Sequence, residues 1–188
     1  YPDYLATAGA EARDLAIALR LPRTGNSRAR ALAMQWRANA GNGPESNVQV
    51  MRQAIEFFRN ARFEYTLTPP LLGENTVDEF VFDTRRGFCE HFSSAFTFMM
   101  RAANVPARVV TGYQGGELNP VDGYMEIRQA DAHAWSEVWS GAGGWTRVDP
   151  TALAVPLRVE STVANVLSML DERAEARRLR LRSEVDRD

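Results

Sequence analysis

Only one side chain in this sequence becomes a strong nucleophile on losing a proton near neutral pH, and it occurs once, as Cys89. The thiolate is favoured where unpaired backbone N–H groups and the helix dipole meet at a helix N-terminus. Cys89 has that setting. After Gly87, residues Phe88, Phe92, Ala95, Phe96, Met99 and Ala103 recur at helical spacing, which predicts a buried helix beginning near Cys89. A lone cysteine is ordinarily a small buried hydrophobe, so its companions decide its role. Of the two histidines, His91 lies two residues along the same helix, a rotation of about 200°, and points away from the thiol. It reads as a helix-face residue bonded locally. His133 can meet Cys89 only through tertiary folding.

His133 sits in a run, Ala132 to Trp139, whose alternation predicts a strand with His133, Trp135, Glu137 and Trp139 on one face. Gly141-Ala142-Gly143-Gly144 then reads as a hairpin turn, with Trp145 to Asp149 returning. A three-residue loop at Ser140 to Ala142 sets His133 opposite Asp149. A loop at Gly141 to Gly143 leaves them diagonal neighbours on the same face. Either register puts the two within roughly 5 to 8 Å, Cβ to Cβ, whereas loops of even length separate them to opposite faces. Pro150 favours extended backbone at Asp149. An ordinary amphipathic sheet edge would also carry one polar face. A cysteine opening a buried helix, followed by a histidine and an aspartate on successive strands, is more specific: it is the nucleophile, base and orienter of triad chemistry.

The rest of the sequence must build and position these residues. With 188 residues, 45% hydrophobic and 24% charged, the chain suits one soluble globular domain with a continuous core. A net charge of -2 gives no electrostatic drive toward nucleic acid or anionic lipid. One cysteine and two histidines supply neither an internal disulfide nor a structural zinc site, and no carboxylate cluster has calcium-loop spacing, so neither metal nor cofactor is expected. All 22 basic residues are arginines, so the chain offers no lysine as nucleophile or amine substrate. No apolar run approaches the ~18 residues that would cross a bilayer. The opening Tyr1-Pro2-Asp3 and the charged tail point to a piece of a longer protein.

Helices come first and strands afterwards, which indicates an α+β fold. Leu5, Ala8, Ala12, Leu15 and Leu19 keep a helical period, continued by Leu32 and Trp36 after a break at Pro22 to Asn26. A loop covers Gly41 to Ser46. A further helix, about Asn47 to Ala61, sets Met51, Ile55 and Phe58 on one face as core-facing scaffold. Phe63 to Thr68 reads as extended, and Val77 to Phe82 as a short helix or strand. Arg108 to Tyr113 and Tyr124 to Gln129 read as further strands. Residues 1–62 are a helical part packing on the rest of the chain. Residues 157–188, with an apolar stripe of Val163, Leu167 and Leu170 before an Arg/Glu run, form a helix or linker tail.

Gly87-Phe88-Cys89-Glu90-His91-Phe92, the strand Val105 to Tyr113, Asp131-Ala132-His133-Ala134-Trp135 and Trp145-Thr146-Arg147-Val148-Asp149-Pro150-Thr151 together resemble the core of the transglutaminase-like superfamily. They are most similar to its bacterial inner-membrane TgpA type, over about Phe63 to Pro156, and the resemblance implies a catalytic core of 63–156. The resemblance implies a papain-like α+β fold with the nucleophile-bearing helix packed on an antiparallel sheet. It implies Cys89 as nucleophile, His133 as general base and acid, and Asp149 as orienter. The implied setting is a periplasmic domain between membrane segments. The implied reaction transfers the acyl group of a protein glutamine γ-carboxamide through a cysteine thioester to an amine, on cell-envelope substrates. The acceptor, a lysine or small primary amine, must come from another molecule. Trp135 is the first candidate for a water-excluding wall in substrate binding. The Cys89 backbone N–H is one oxyanion donor, but the upstream tryptophan that animal relatives use as the other has no counterpart between Trp36 and Cys89. A cysteine peptidase or amidase on the same triad, and an inactive peptide-binding module, are the alternatives.

Overall fold

Gly25 and Asn26 both adopt left-handed backbone, φ 86° and 54°, so no helix can run back through them, and α2 (Ser27–Ala40) starts directly after. Its start is tied to a distant segment by reciprocal caps. The Asp78 carboxylate accepts from the Arg28 and Ala29 N–H groups at 3.0 and 2.8 Å, and the Asn26 side chain accepts from those of Val77 and Asp78 at 2.9 and 3.1 Å. Each side chain thus satisfies the orphan donors of the other helix.

The computed structural model describes residues 12–154 apart from positions 44 and 142. The chain divides into two units, Tyr1–Val155 and Pro156–Asp188, and every described residue belongs to the first. The expected tail elements, and the Leu5–Ala8 part of the first helix, lie outside the described residues. A short α1 (Ala12–Ile17) precedes α2, and α3 (Ser46–Asn60) follows it. The stripe that α3 buries is Val50, Ala54 and Phe58; Met51 and Ile55 flank it and are only partly covered. The segment expected as helix or strand is helical: α4 (Thr76–Asp78) runs into a π-helical turn, Glu79–Thr84.

A two-residue strand, β1 (Glu64–Tyr65), pairs parallel with β2 (Arg86–Gly87), just ahead of α5 (Cys89–Ala102). Helix α5 lies between α2 and α3 on one side and the sheet on the other. Phe92 and Phe96 on α5 are fully buried among Phe58, Phe63 and Phe80, with ring centroids 5.0 to 5.5 Å apart. Burying each such ring contributes about 1.5–3 kcal/mol, and the interlocked rings leave the start of the helix little room to shift.

The sheet is antiparallel in the order β3-β6-β7: β3 (Ala107–Tyr113), β6 (Ala132–Trp139) and β7 (Trp145–Val148). Ala134, Ser136 and Val138 of β6 are buried on its α5 side. There the Ser136 hydroxyl donates to the Ser93 carbonyl and accepts from Thr97, both at 3.1 Å, so a buried polar pair is satisfied while pinning strand to helix. The strand expected over Tyr124–Gln129 shrinks to β5 (Met125–Glu126), paired only with β4 (Glu117–Leu118) in an exposed hairpin beside the sheet. Asn119 and Asp122 cap its turn through their side chains, and Gln129–Asp131 winds into one 3-10 turn that leads into β6. Among the described residues, no helix is long and apolar enough to cross a membrane.

Candidate active site

The β6–β7 hairpin closes around Gly141 and Gly144, both with positive φ, and the Ser140 N–H donates to the Gly144 carbonyl at 2.9 Å. Ser136 pairs with Val148 and Trp139 with Trp145, which is the register with the loop at Gly141 to Gly143. His133 and Asp149 are consequently diagonal rather than directly opposed. They still meet, because β7 ends at Val148 and Asp149 leaves the strand to cap a 3-10 turn, Pro150–Leu153. His133 Nε2 lies 2.6 Å from Asp149 Oδ2, with side chains only 15% and 17% exposed. With the carboxylate as acceptor, the contact assigns the ring N–H to Nε2 and leaves Nδ1 to face away from Asp149.

Asp149 is held on its other oxygen as well. Oδ1 accepts from the Thr151 backbone N–H at 3.1 Å and from the Thr151 hydroxyl at 2.5 Å. Thr151 is a positioning residue that the sequence reading did not single out; its signal was the Asp-Pro-Thr triplet, where an aspartate followed by proline at the first helical position announces a cap. Arg147 stays 3.9 Å from Asp149 Oδ2, and its guanidinium instead lies 4.2 Å over the Trp135 ring. That ring is nearly parallel to His133 at 6.4 Å and spans Gly112 on β3, where an added Cβ would approach it to 3.0 Å. Trp135 thus lies alongside the imidazole on the same face of β6. Its indole N–H is buried with no hydrogen-bond partner among the described residues.

Cys89 is the first residue of α5, half-buried and unpaired with any other cysteine. The approach to it is tight: a Cβ on Gly87 would lie 2.7 Å from His91 Cβ and 2.9 Å from the Phe80 ring, so only glycine fits. His91 Nδ1 receives the Phe88 N–H at a long 3.5 Å, and the ring packs edge-on against Phe88. Burial lowers the His91 pKa, with the Glu90 charge opposing. Burial raises the Tyr65 pKa, followed by the charge of Cys89, with hydrogen bonding to Cys89 and the charge of Asp149 as smaller influences. The strand that carries His133 and the 3-10 turn that Asp149 caps both pack against α5, the helix that Cys89 opens. Tyr65 is the second functional candidate that the sequence reading passed over. Among the described residues, no group of three His, Cys, Asp or Glu side chains is arranged to hold a metal ion.

Residues 30–150 match the transglutaminase-like superfamily core. Over 150 residues the chain is 49% identical to a protein-glutamine gamma-glutamyltransferase of Pseudomonas aeruginosa, covering 80% of this chain and 22% of that protein. The crystal structure of the periplasmic domain of TgpA from Pseudomonas aeruginosa superposes with a TM-score of 0.70 at 47% identity, over 77% of this chain and 49% of that one. A structure assigned to the cysteine proteases, from Cytophaga hutchinsonii, shares the fold at a TM-score of 0.52 and 23% identity, over 80% of this chain and 46% of that one. The architecture is the papain-like α+β fold expected from the sequence.

Proposed function

We propose that this chain, which belongs to the transglutaminase-like superfamily, is a catalytic domain that transfers the acyl group of a protein glutamine to an amine through Cys89. The observation that carries the reading is the 2.6 Å His133–Asp149 contact, made by a strand and a turn that both pack against the helix opened by Cys89. Residues 63–156 form the catalytic core in this account, and the preceding helices are its scaffold.

His133 Nδ1 takes the thiol proton, giving a thiolate and imidazolium pair, with Asp149 stabilising the imidazolium and fixing the ring. The sulfur lone pair forms an S–C bond to the γ-carboxamide carbon, and the C=O pair moves onto oxygen. As that pair returns, the C–N bond breaks and His133 gives its proton to the departing nitrogen, releasing ammonia and leaving a thioester. An amine then attacks, His133 accepts its proton, and the thiolate leaves as the new amide forms. Because the chain has no lysine, a lysine acceptor must come from another molecule. Trp135, stacked beside His133, forms the wall that keeps water from the thioester and so favours transfer over hydrolysis. Similarity to the periplasmic domain of TgpA supports a periplasmic setting, and in this account the domain belongs to a bacterial inner-membrane protein with cell-envelope proteins as its substrates.

The test is incorporation of a fluorescent amine into a glutamine-bearing protein by wild type and Cys89→Ala, with ammonia release followed alongside. Labelling that disappears in Cys89→Ala supports the transferase. Ammonia without labelling makes the domain a hydrolase, and neither signal leaves a peptide-binding role.

A further inference from the structure

An oxyanion that forms on a carbonyl carbon attacked by Cys89 needs donors already in place. The Cys89 backbone N–H is available, because the first N–H groups of a helix have no carbonyl partner within it. A second donor is required, and Tyr65 reaches the position by pairing rather than by sequence proximity. The β1–β2 register sets Tyr65 against Gly87, and the next N–H, from Thr66, donates to the Gly87 carbonyl at 2.8 Å. The Tyr65 ring stacks on Phe92 at 6.3 Å and 25°. Gly87 and Phe92 lie on either side of Cys89 in sequence, so the ring spans the first turn of α5. Hydrogen bonding to the Cys89 backbone and side chain is among the influences on its hydroxyl.

We propose that the Tyr65 hydroxyl is the second oxyanion donor, acting together with the Cys89 backbone N–H. The proposal rests on the acyl-transfer reading and assigns one more catalytic residue to it. When the sulfur lone pair forms the S–C bond, the negative charge passes to the carbonyl oxygen two bonds away, and the O–H follows it by turning about the phenol C–O bond. The Cys89 N–H donates to the same oxyanion. No covalent bond of Tyr65 changes. Burial first, and then the Cys89 charge, push the Tyr65 hydroxyl above the ordinary phenol range, so it keeps the proton it must donate.

The experiment is the acylation burst with p-nitrophenyl acetate, whose attack by Cys89 passes through the same kind of oxyanion whatever the natural substrate. Wild type, Tyr65→Phe and Cys89→Ala are compared, with iodoacetamide alkylation and thermal melting run on each folded protein. Tyr65→Phe keeps the ring on Phe92. We expect its acylation to fall about 10²- to 10³-fold. Its alkylation, a displacement at saturated carbon that builds no oxyanion, should match wild type. Acylation equal to wild type overturns the proposal, as does a parallel loss of alkylation, which would make Tyr65 a partner of the thiolate. No burst in wild type withdraws the acyl-enzyme reading and this assignment with it, whereas a normal burst in Tyr65→Phe removes only Tyr65.

Discussion

The two halves of the site are built by different forces. His133 and Asp149 are positioned by directed bonds: Asp149 accepts from Thr151 twice and contacts His133 at 2.6 Å, all within the few residues where β7 turns into a 3-10 helix. Cys89 sits at a helix end fixed by the packing of Phe92 and Phe96 among Phe58, Phe63 and Phe80, and by a glycine that leaves no gap. Directed bonds set the angle of a ring; packing sets the place of a helix. Damage to the first half should therefore appear in rate with the fold intact, and damage to the second in stability.

Asp149→Asn tests the first half most severely. It keeps the shape but can reverse the tautomer of His133, and kcat for amine transfer should fall about 10³- to 10⁴-fold with the melting temperature nearly unchanged. A large loss of melting temperature would erase the contrast between the halves. In the packing half, Phe92→Ala should cost about 3–5 kcal/mol in urea unfolding, as a fully buried ring is replaced by a cavity. If it instead left stability intact and abolished only the rate, the ring would be serving the chemistry directly.

Thr151→Val removes one donor to Asp149 and keeps the backbone N–H. A bond to a charged group is worth about 1.5–3 kcal/mol, so kcat should drop roughly tenfold or more, and Thr151→Ser should restore it. The smallest effect is expected at His91. Its pKa in the folded state is lowered by burial, so below its unfolded value of about 6.5 the unfolded chain binds the proton more readily. Stability is retained above that pH and lost as pH falls toward the lowered value. His91→Gln should flatten the decline in melting temperature between roughly pH 7 and 5, and an unchanged slope would mean the imidazole titrates alike in both states.

The same contrast explains what the sequence made legible. Alternation in Ala132–Trp139 and the glycine turn offered two odd-loop registers that keep His133 and Asp149 on one face, against even-length loops that separate them, and the structure adopts the diagonal one. The contact survives the diagonal offset because Asp149 has left the strand, a detail carried by Pro150 and Thr151 rather than by the period. The helical spacing after Gly87 located the start of α5 at Cys89. Tyr65 was not legible, because a two-residue parallel pairing across a long connection leaves no local pattern. Nor were the reciprocal Asn26 and Asp78 caps, where each side chain answers donors about fifty positions away. The segment from Tyr124 read as a strand for its β-forming residues, yet it pairs only within an exposed hairpin, since composition reports fitness for a strand and not the presence of a neighbour.

The central claim is a covalent acyl group on Cys89, and the most direct measurement is the intact mass of the protein, quenched in acid during turnover of a glutamine peptide. The account predicts a species heavier by the peptide less one ammonia, absent in Cys89→Ala and discharged on adding an amine. Ammonia release with no such adduct on wild type, or an equal adduct on Cys89→Ala, would contradict it.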